Sequence, residues 1–335
     1  MNFTDIISKI AAAKSAMLFT HVNMDGDAMG STMALCRVMR KLGIDAHIMV
    51  EDKAPRFLQF MDDGSFFLDV EEYRVQGSPA YDLAAAVDIG QDKRLENRVE
   101  EFRRAAVSIC IDHHHHTSED CGFADSERRD PSAAAAAVLV QELIEEMEMA
   151  KGLCLMDKDV AEDLYIGIMT DTGCFKFSNT DGRAHGCVAR LFARGIDHNG
   201  ICTKIYESYP EAQLRLEALA MDRMERFADG KACISWCTLK DFEELGADIS
   251  LADTCIDRLR SVEGVEIAAF IKEKEDGSFK LSTRSKMYAN VNAICAVFGG
   301  GGHLKASGAT FRCSLEEAIA QLKPEIEKEL ARWTE

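Results

Sequence analysis

Three imidazoles and four or five carboxylates stand just past apolar runs in the first half of the chain. They are His21, Asp25 and Asp27 in "THVNMDGDAMGS", Asp88 in "AAAVDIG", Asp112, His113 and His114 in "SICIDHHHH", and Asp171 in "GIMTDTG". If these groups converge, the carboxylates repel and drive one another's pKa upward unless cations lie among them. Imidazole mixed with carboxylate and no thiolate suits Mn²⁺, Mg²⁺, Fe²⁺ or Zn²⁺, and the histidines tilt the choice toward a transition metal. So many ligands fit two ions with a shared carboxylate. Two ions roughly 3.5 to 4 Å apart activate a water and clamp the attacked and leaving oxygens of a phosphoryl group, so the chemistry indicated is hydrolysis of a phosphoester or phosphoanhydride.

The elements that must position these residues read as α/β. "AMLFTH", "DAHIMV", "YDLAAAVDIG" and "VSICIDHH" are strand-like, with a helical pattern over Ala28–Leu42 and another over "KRLENRVEEFRRA". Alternation of this kind predicts a parallel sheet flanked by helices, with ligands beyond the carboxyl ends of its strands. His21, Asp88 and Asp112 would share that edge. "SAAAAAVLVQELIEEM" and "DKDVAEDLYIGIMTDTG" continue as helices, and "YPEAQLRLEALAMDRMERF" reads as one long helix. From Lys231 the pattern restarts with strand "ACISWCT", two helices, a hairpin turning at Asp276-Gly277 and a helix over Leu315–Arg332.

A chain of 335 residues exceeds the roughly 250 to 300 at which single cores stop growing, so two domains are expected. The connection is expected near Arg190–Pro210, which divides the chain into a catalytic domain over 1–190, a linker over 191–215 and a smaller α/β substrate domain over 216–335. Net charge is 39 minus 57, or −18. That opposes binding to long duplex nucleic acid, which depends on neutralising many phosphates, and leaves room for a short anionic substrate. Twelve cysteines lie singly, without C-x-x-C pairs, and read as free thiols of a reducing compartment. No apolar run approaches the ~20 residues of a membrane span, so no membrane partner and a cytoplasmic location are expected.

In order along the chain, "HVNMDGDAMGS", "VDIG", "IDHHHH", "TDTGCFKFSNT" and "GGGGHLKASGAT" resemble the DHH phosphoesterase superfamily with a C-terminal DHHA1 domain. Within it, the chain is similar to the nanoRNase and pAp-phosphatase branch. The resemblance implies a DHH domain followed by a DHHA1 domain, and Mn²⁺ as the usual metal, in two ions, with Mg²⁺ or another divalent ion as the alternative. It implies that His21, Asp25 and Asp88 hold one ion and that Asp27, Asp88, His113 and Asp171 hold the other, with Asp88 bridging. His114 would face the scissile phosphate, and Asp112 would orient a histidine. His115 and His116 exceed the motif and are expected to be structural or to pack at the substrate edge rather than bind metal. The implied substrates are short RNA or DNA oligonucleotides, including pApA, and pAp.

In the C-terminal part, Arg284 in "LSTRSK" matches the family's substrate-binding arginine and suits bidentate grip on a phosphate. Gly300, Gly301, Gly302 and His303 are expected to allow close backbone approach to an anionic ligand. Lys286 and Lys305 are weaker candidates, His185 reads as a surface group, and His47 and His198 have no motif context. One departure concerns "DPSAAAAAVLV", where relatives often carry a hydroxyl at the helix start and here Ser132 is followed by alanines. Rival readings are a linear-dinucleotide hydrolase in cyclic-di-AMP turnover and a non-catalytic nucleotide sensor. The metal-type residues disfavour the sensor. A homodimer is compatible with the residues, and none requires it.

Overall fold

Strand β1 (Ser15–Phe19), which follows helix α1 (Thr4–Ala12), sends Ala16 and Leu18 into one layer of core and Met17 and Phe19 into another. Apolar residues on both faces are what a strand needs when helices cover both sides of a parallel sheet. The same division recurs in β4 (Leu83–Val87), every residue of which is buried. In this computed structural model the described residues are 3–62, 64–115 and 122–333. They form two compact units, Met1–Ser208 and Tyr209–Glu335.

The first unit adds α2 (Gly26–Lys41), β2 (Asp45–Val50), β3 (Phe67–Asp69), α3 (Val70–Val75), α4 (Val99–Arg103), β5 (Val107–Asp112) and β6 (Ser126–Arg129). Helices α5 (Ala136–Lys151), α6 (Lys158–Asp171), α7 (Gly182–Phe192) and α8 (His198–Tyr206) complete it. Among the described residues the sheet has six strands in the order β3-β2-β1-β4-β5-β6, all paired in parallel. Progression reverses between β1 and β4, so the chain leaves their carboxyl ends in opposite directions and opens a crevice there. Helices α2, α5 and α6 pack on one face, and α3 and α4 on the other.

Several expected elements are corrected. The alanine run does not enter a helix at Ser132: α5 starts at Ala136, and the Ser132 hydroxyl instead donates to Asp130 at 2.6 Å. The segment after Asp88 holds two short 3₁₀ turns before α4 rather than one amphipathic helix. The helix begun at "YPEAQ" stops at Asp222, because Glu225–Phe227 pairs as an edge strand of the second sheet. The expected linker over 191–215 largely belongs to helices, since α8 buries Ile201 and Ile205 in the first core.

The second unit contains α9 (Glu211–Asp222), β7 (Glu225–Phe227), β8 (Ala232–Cys237), α10 (Leu239–Leu245), α11 (Cys255–Ser261), β9 (Ile267–Glu273) and β10 (Phe279–Ser285). It ends with α12 (Val291–Val297), β11 (Gly301–His303), β12 (Ala306–Phe311) and α13 (Leu315–Ala331). Its mixed sheet runs β11-β12-β10-β9-β8-β7 among the described residues. Cysteines 36, 110, 154, 174, 187, 202, 233, 237, 255, 295 and 313 are unbridged. No described helix is long and apolar enough to cross a membrane.

The packing that fixes the crevice is the contact between α2 and α6. A Cβ on Gly30 would sit far inside contact with the Asp163 carbonyl oxygen and 3.0 Å from the Gly167 nitrogen, both backbone atoms of α6. Helix propensity alone makes glycine-to-alanine favourable by about 1 kcal/mol. Steric overlap with rigid backbone outweighs that gain, so Gly30→Ala is expected to lower stability by about 1 to 3 kcal/mol net. A thermal melt checks this: the transition should fall by several degrees, and an unchanged or raised transition would contradict the close α2–α6 approach.

Candidate metal centre

Asp88 ends β4 with a left-handed backbone (φ 61), a conformation Asp tolerates better than most residues, and its amide donates to the Ile111 carbonyl at 2.9 Å. Its carboxylate is buried and divided between two groups. Oδ2 lies 3.4 Å from His21 Nε2, and Oδ1 lies 3.3 Å from His113 Nε2. His21 Nε2 is also 3.8 Å from Asp25 Oδ2. His113 Nε2 is 3.8 Å from Asp27 Oδ2 and 4.0 Å from Asp171 Oδ2. The sets His21–Asp25–Asp88 and Asp27–His113–Asp171 each offer ligand atoms within 4.8 Å of one another, and so does Asp88–His113–His114.

The imidazoles face the carboxylates with the right nitrogen. His21 Nδ1 lies 2.8 Å from the Val22 carbonyl, and His113 Nδ1 lies 3.2 Å from the Ala133 carbonyl. A carbonyl only accepts, so Nδ1 carries the proton and Nε2 presents either a lone pair or a second proton to the acids. A lone pair facing carboxylate oxygens at 3.3 to 4.0 Å is repulsive unless a positive charge lies between. Asp88 Oδ1 is buried without a hydrogen-bond partner, which fits the same requirement. The residues present fit divalent cations.

Two helix amino termini meet the acids. Asp25 Oδ1 accepts from the amides of Asp27 and Ala28 at 3.1 and 3.0 Å and so caps α2. Asp27 lies on α2 yet accepts from the amides of Ala136 and Ala137 at 2.6 and 2.9 Å, and so caps α5, whose own N-cap is Ala135. This is why α5 starts where it does, and why no hydroxyl is required at its start. Gly167 makes room: a Cβ there would lie 2.7 Å from the Ala137 Cβ and 2.9 Å from Asp27 Oδ1. Asp171, at the end of α6, accepts from Asn179 Nδ2 at 3.2 Å.

Electrostatics follow from this crowding. Burial, then the charges of Asp88, Asp171 and Asp25, hold the Asp27 carboxyl well above its usual range against the pull of the His113 charge. Burial and the Asp88 and Asp25 charges likewise raise Asp171 against the pull of His113 and His114. Burial would also raise Asp88, but the imidazoles of His113 and His21 close beside it outweigh burial and hold the carboxyl below the normal range. Burial would depress His113 and His21, and the surrounding carboxylates reverse that in both.

Asp112 is fully buried, and its Oδ1 accepts from His114 at both the backbone amide (3.2 Å) and ring Nδ1 (2.8 Å), so the histidine it orients is His114. His114 Nδ1 is also 3.5 Å from Asp88 Oδ1. On the other edge of the ring, Arg94 Nη1 lies 3.0 Å from Nε2. His115 is exposed, and His116 lies outside the described residues. Arg94, Asn179 and Asp52 were not singled out by sequence. Asp52 accepts from the amide of Asn23, whose backbone is left-handed (φ 54), and so holds the first loop. Asn179 lies inside the motif "TDTGCFKFSNT", which was its signal; Arg94 and Asp52 carried none.

In the second unit, register aligns the expected substrate residues. Arg284 and His303 are both cross-strand partners of Ala306, one on each side, so they share a row and a face of the sheet. Arg284 is half-buried, its Nη1 donates to the Thr283 carbonyl at 3.0 Å, and burial lowers its pKa. The second half of the glycine run is strand: Gly301 and Gly302 lie in β11. A Cβ on Gly300 would collide with the Gly308 carbonyl, and one on Gly302 would lie 2.6 Å from the Ala306 carbonyl. Those two glycines serve the β11–β12 approach, while Gly301 is exposed and a Cβ there would meet Asn292 Oδ1 at 3.9 Å, an ordinary contact.

Residues 15–168 match the DHH family, N-terminal domain, and residues 229–332 match the DHHA1 domain. The bifunctional oligoribonuclease and PAP phosphatase NrnA of Thermus thermophilus is 29% identical over 315 residues, covering 93% of this chain and 89% of that protein. The Bacillus subtilis protein of the same name is 25% identical over 308 residues, covering 92% of each. An exopolyphosphatase-related protein from Bacteroides fragilis has a crystal structure similar to this one, with a TM-score of 0.92 at 25% identity, over 99% of this chain and 97% of that one.

A crossed pH dependence is expected. His113 and His21 have folded pKa values above their ordinary 6.5, so the ion-free native state holds extra protons. That stability is fully present below about 6.5 and is lost as pH rises through the folded values. Divalent ions must displace the same protons, so their affinity should rise over the same window. Thermal melts from pH 6.5 upward should therefore decline without metal, whereas Mn²⁺ at about 100 times its Kd should add about 2.7 kcal/mol, more readily at the alkaline end. Asp88→Asn should abolish the Mn²⁺ gain, and a gain that survives this substitution would place the ions elsewhere.

Proposed function

The chain belongs to the DHH family, its DHH domain joined to a DHHA1 domain, and on that footing we propose that it is a metal-dependent phosphoesterase of short oligonucleotides. It trims dinucleotides and slightly longer oligoribonucleotides to mononucleotides and removes the 3′-phosphate of pAp. The observation that carries this reading is the Asp88 carboxylate, with one oxygen toward His21 and the other toward His113. His21, Asp25 and Asp88 would hold one Mn²⁺, and Asp27, Asp88, His113 and Asp171 a second. Such ions supply Lewis-acid charge to phosphoryl oxygens and lower the pKa of an attacking water.

The chain's own residues fit both substrates. In each reaction a water oxygen bonds to phosphorus, the bond from phosphorus to O3′ breaks, and O3′ leaves with a proton. One centre can therefore serve an oligonucleotide and pAp alike. His114, held by Asp112, would lie beside the scissile phosphoryl, where its fixed ring stabilises developing charge without reorganising. Arg284 and His303, on one row of the second sheet, would bind a further phosphate of the substrate, with Gly301 leaving the backbone accessible. A few local cations suffice for so short a ligand despite the net charge of −18. The T. thermophilus and B. subtilis relatives, matched over nearly their whole length, support the substrate class.

The test is hydrolysis with Mn²⁺ of pApA, a pentaribonucleotide, a 24-residue single strand, pAp and pyrophosphate, with Asp88→Ala as the blank. Dimer and pentamer should be cleaved at least about tenfold faster than the 24-mer, pAp should be cleaved, and Asp88→Ala should lose on the order of 10³-fold. Preference for the long strand or pyrophosphate would sink the oligonucleotide reading. Cleavage of pApA alone would favour the dinucleotide-hydrolase rival, and binding of nucleotides without turnover would favour a sensor.

A further inference from the structure

Arg94 stands outside every motif that suggested the function, and the structure sets it against the reacting end of the site. It closes a 3₁₀ turn (Asp92–Arg94) six residues after Asp88. The turn is fixed from both sides. Leu95 and Ile89 are fully buried, the Gly90 carbonyl accepts from Arg129 Nη2 at 2.9 Å, and the Arg94 amide donates to the Gln91 carbonyl at 3.1 Å. An arginine on such a turn is placed by core packing.

The contact with His114 defines a chain of three groups. A guanidinium only donates, so His114 Nε2 accepts from Arg94 and the ring proton sits on Nδ1, donated to Asp112. The two ring nitrogens point away from each other, so the imidazole separates Arg94 from Asp112 and Asp88. Arg94 is half-buried, and among the described residues no carboxylate lies within ion-pair distance of it. Its neighbours on the same segment behave otherwise: Arg98 pairs with Glu51 and Arg103 with Asp92. In a chain with 57 acidic side chains, a half-buried guanidinium beside the site and with no carboxylate partner among the described residues is suited to an anion that arrives with the substrate.

We propose that Arg94 is a catalytic residue that grips the non-bridging oxygens of the scissile phosphoryl group. The acids around Asp88 gather cations, and Arg94 meets that cluster through His114, whose Nδ1 lies 3.5 Å from Asp88 Oδ1 and whose Nε2 lies 3.0 Å from Arg94 Nη1. An arginine fork matches two phosphoryl oxygens, and charge on those oxygens is what a phosphoryl-transfer transition state spreads and a guanidinium stabilises. The His114 contact pre-orients the guanidinium before substrate arrives. This rests on the phosphoesterase reading and goes further, by assigning a residue of the DHH domain that is not a metal-type ligand to the reacting phosphate.

The experiment compares native protein with Arg94→Ala and Arg94→Lys on two substrates with Mn²⁺, alongside Mn²⁺ titration and thermal melts. Bis(4-nitrophenyl) phosphate has a scissile diester and no other phosphate; pApA has a terminal phosphate as well. Arg94→Ala should lose about 100-fold or more in kcat on both substrates, with Mn²⁺ affinity and melting temperature essentially unchanged. Arg94→Lys should fall between, and added guanidinium ion should restore part of the alanine variant's rate. Rates within about threefold of native would overturn the assignment, as would a loss confined to pApA or one that tracks Mn²⁺ affinity or melting temperature. Native protein that cleaves the diester but leaves oligonucleotides and pAp intact would refute the substrate reading while Arg94 stays measurable on the diester. Native protein inert on both would overturn both.

Discussion

The division of one buried carboxylate between two imidazoles is the constraint on which the first unit turns. Asp88 points one oxygen at His21 and the other at His113, and Asp25, Asp27 and Asp171 crowd the same space. So many acids brought out of water oppose one another strongly, which is visible in the raised pKa of Asp27 and Asp171. Protons or cations must supply the missing positive charge. The raised pKa values of His113 and His21 favour protons there in the absence of ions, and divalent ions would compete for the same place.

The scaffold shares in neutralising those charges. Asp25 caps α2 and Asp27 caps α5, so two helix amino termini, each carrying partial positive charge, are directed at the cluster. Asp27 also ties α2 to α5 across more than a hundred residues of sequence. Glycines 30 and 167 bring α6 against α2 and leave no space for a methyl group beside Asp27. The centre is therefore built from the same contacts that hold the helical layer together, and a shift in that layer is a shift in the ligands.

The second unit solves a different problem, the presentation of positive charge by an acidic chain. Three neighbouring strands do this by register, placing Arg284 and His303 opposite the same alanine. The glycines between allow β11 to come close to β12, so the row is held by main-chain pairing rather than by a flexible loop. In the first unit, core packing on either side of a 3₁₀ turn does the equivalent for Arg94.

The residues of the centre were legible because their chemistry is concentrated at strand ends: "HVNMDGDAMGS", "VDIG" and "IDHHHH" each follow an apolar run, and parallel-sheet topology sends such ends to one edge. The α/β class and the two-unit division were readable from the same alternation. The start of α5 was not, because an alanine run has helix propensity throughout, and only the Asp27 carboxylate, distant in sequence, selects which amides it caps. The edge strand Glu225–Phe227 was hidden for a related reason, since helical periodicity yields there to pairing with β8. Arg94 looked like one arginine among many in a polar segment. The sequence by itself determined which groups could hold a metal and which elements would carry them. Only the tertiary structure decided which oxygen of Asp88 faces which histidine, which nitrogen of His114 is an acceptor, and which arginine stands beside it, because those are relations between side chains that meet only when distant strands and helices pack.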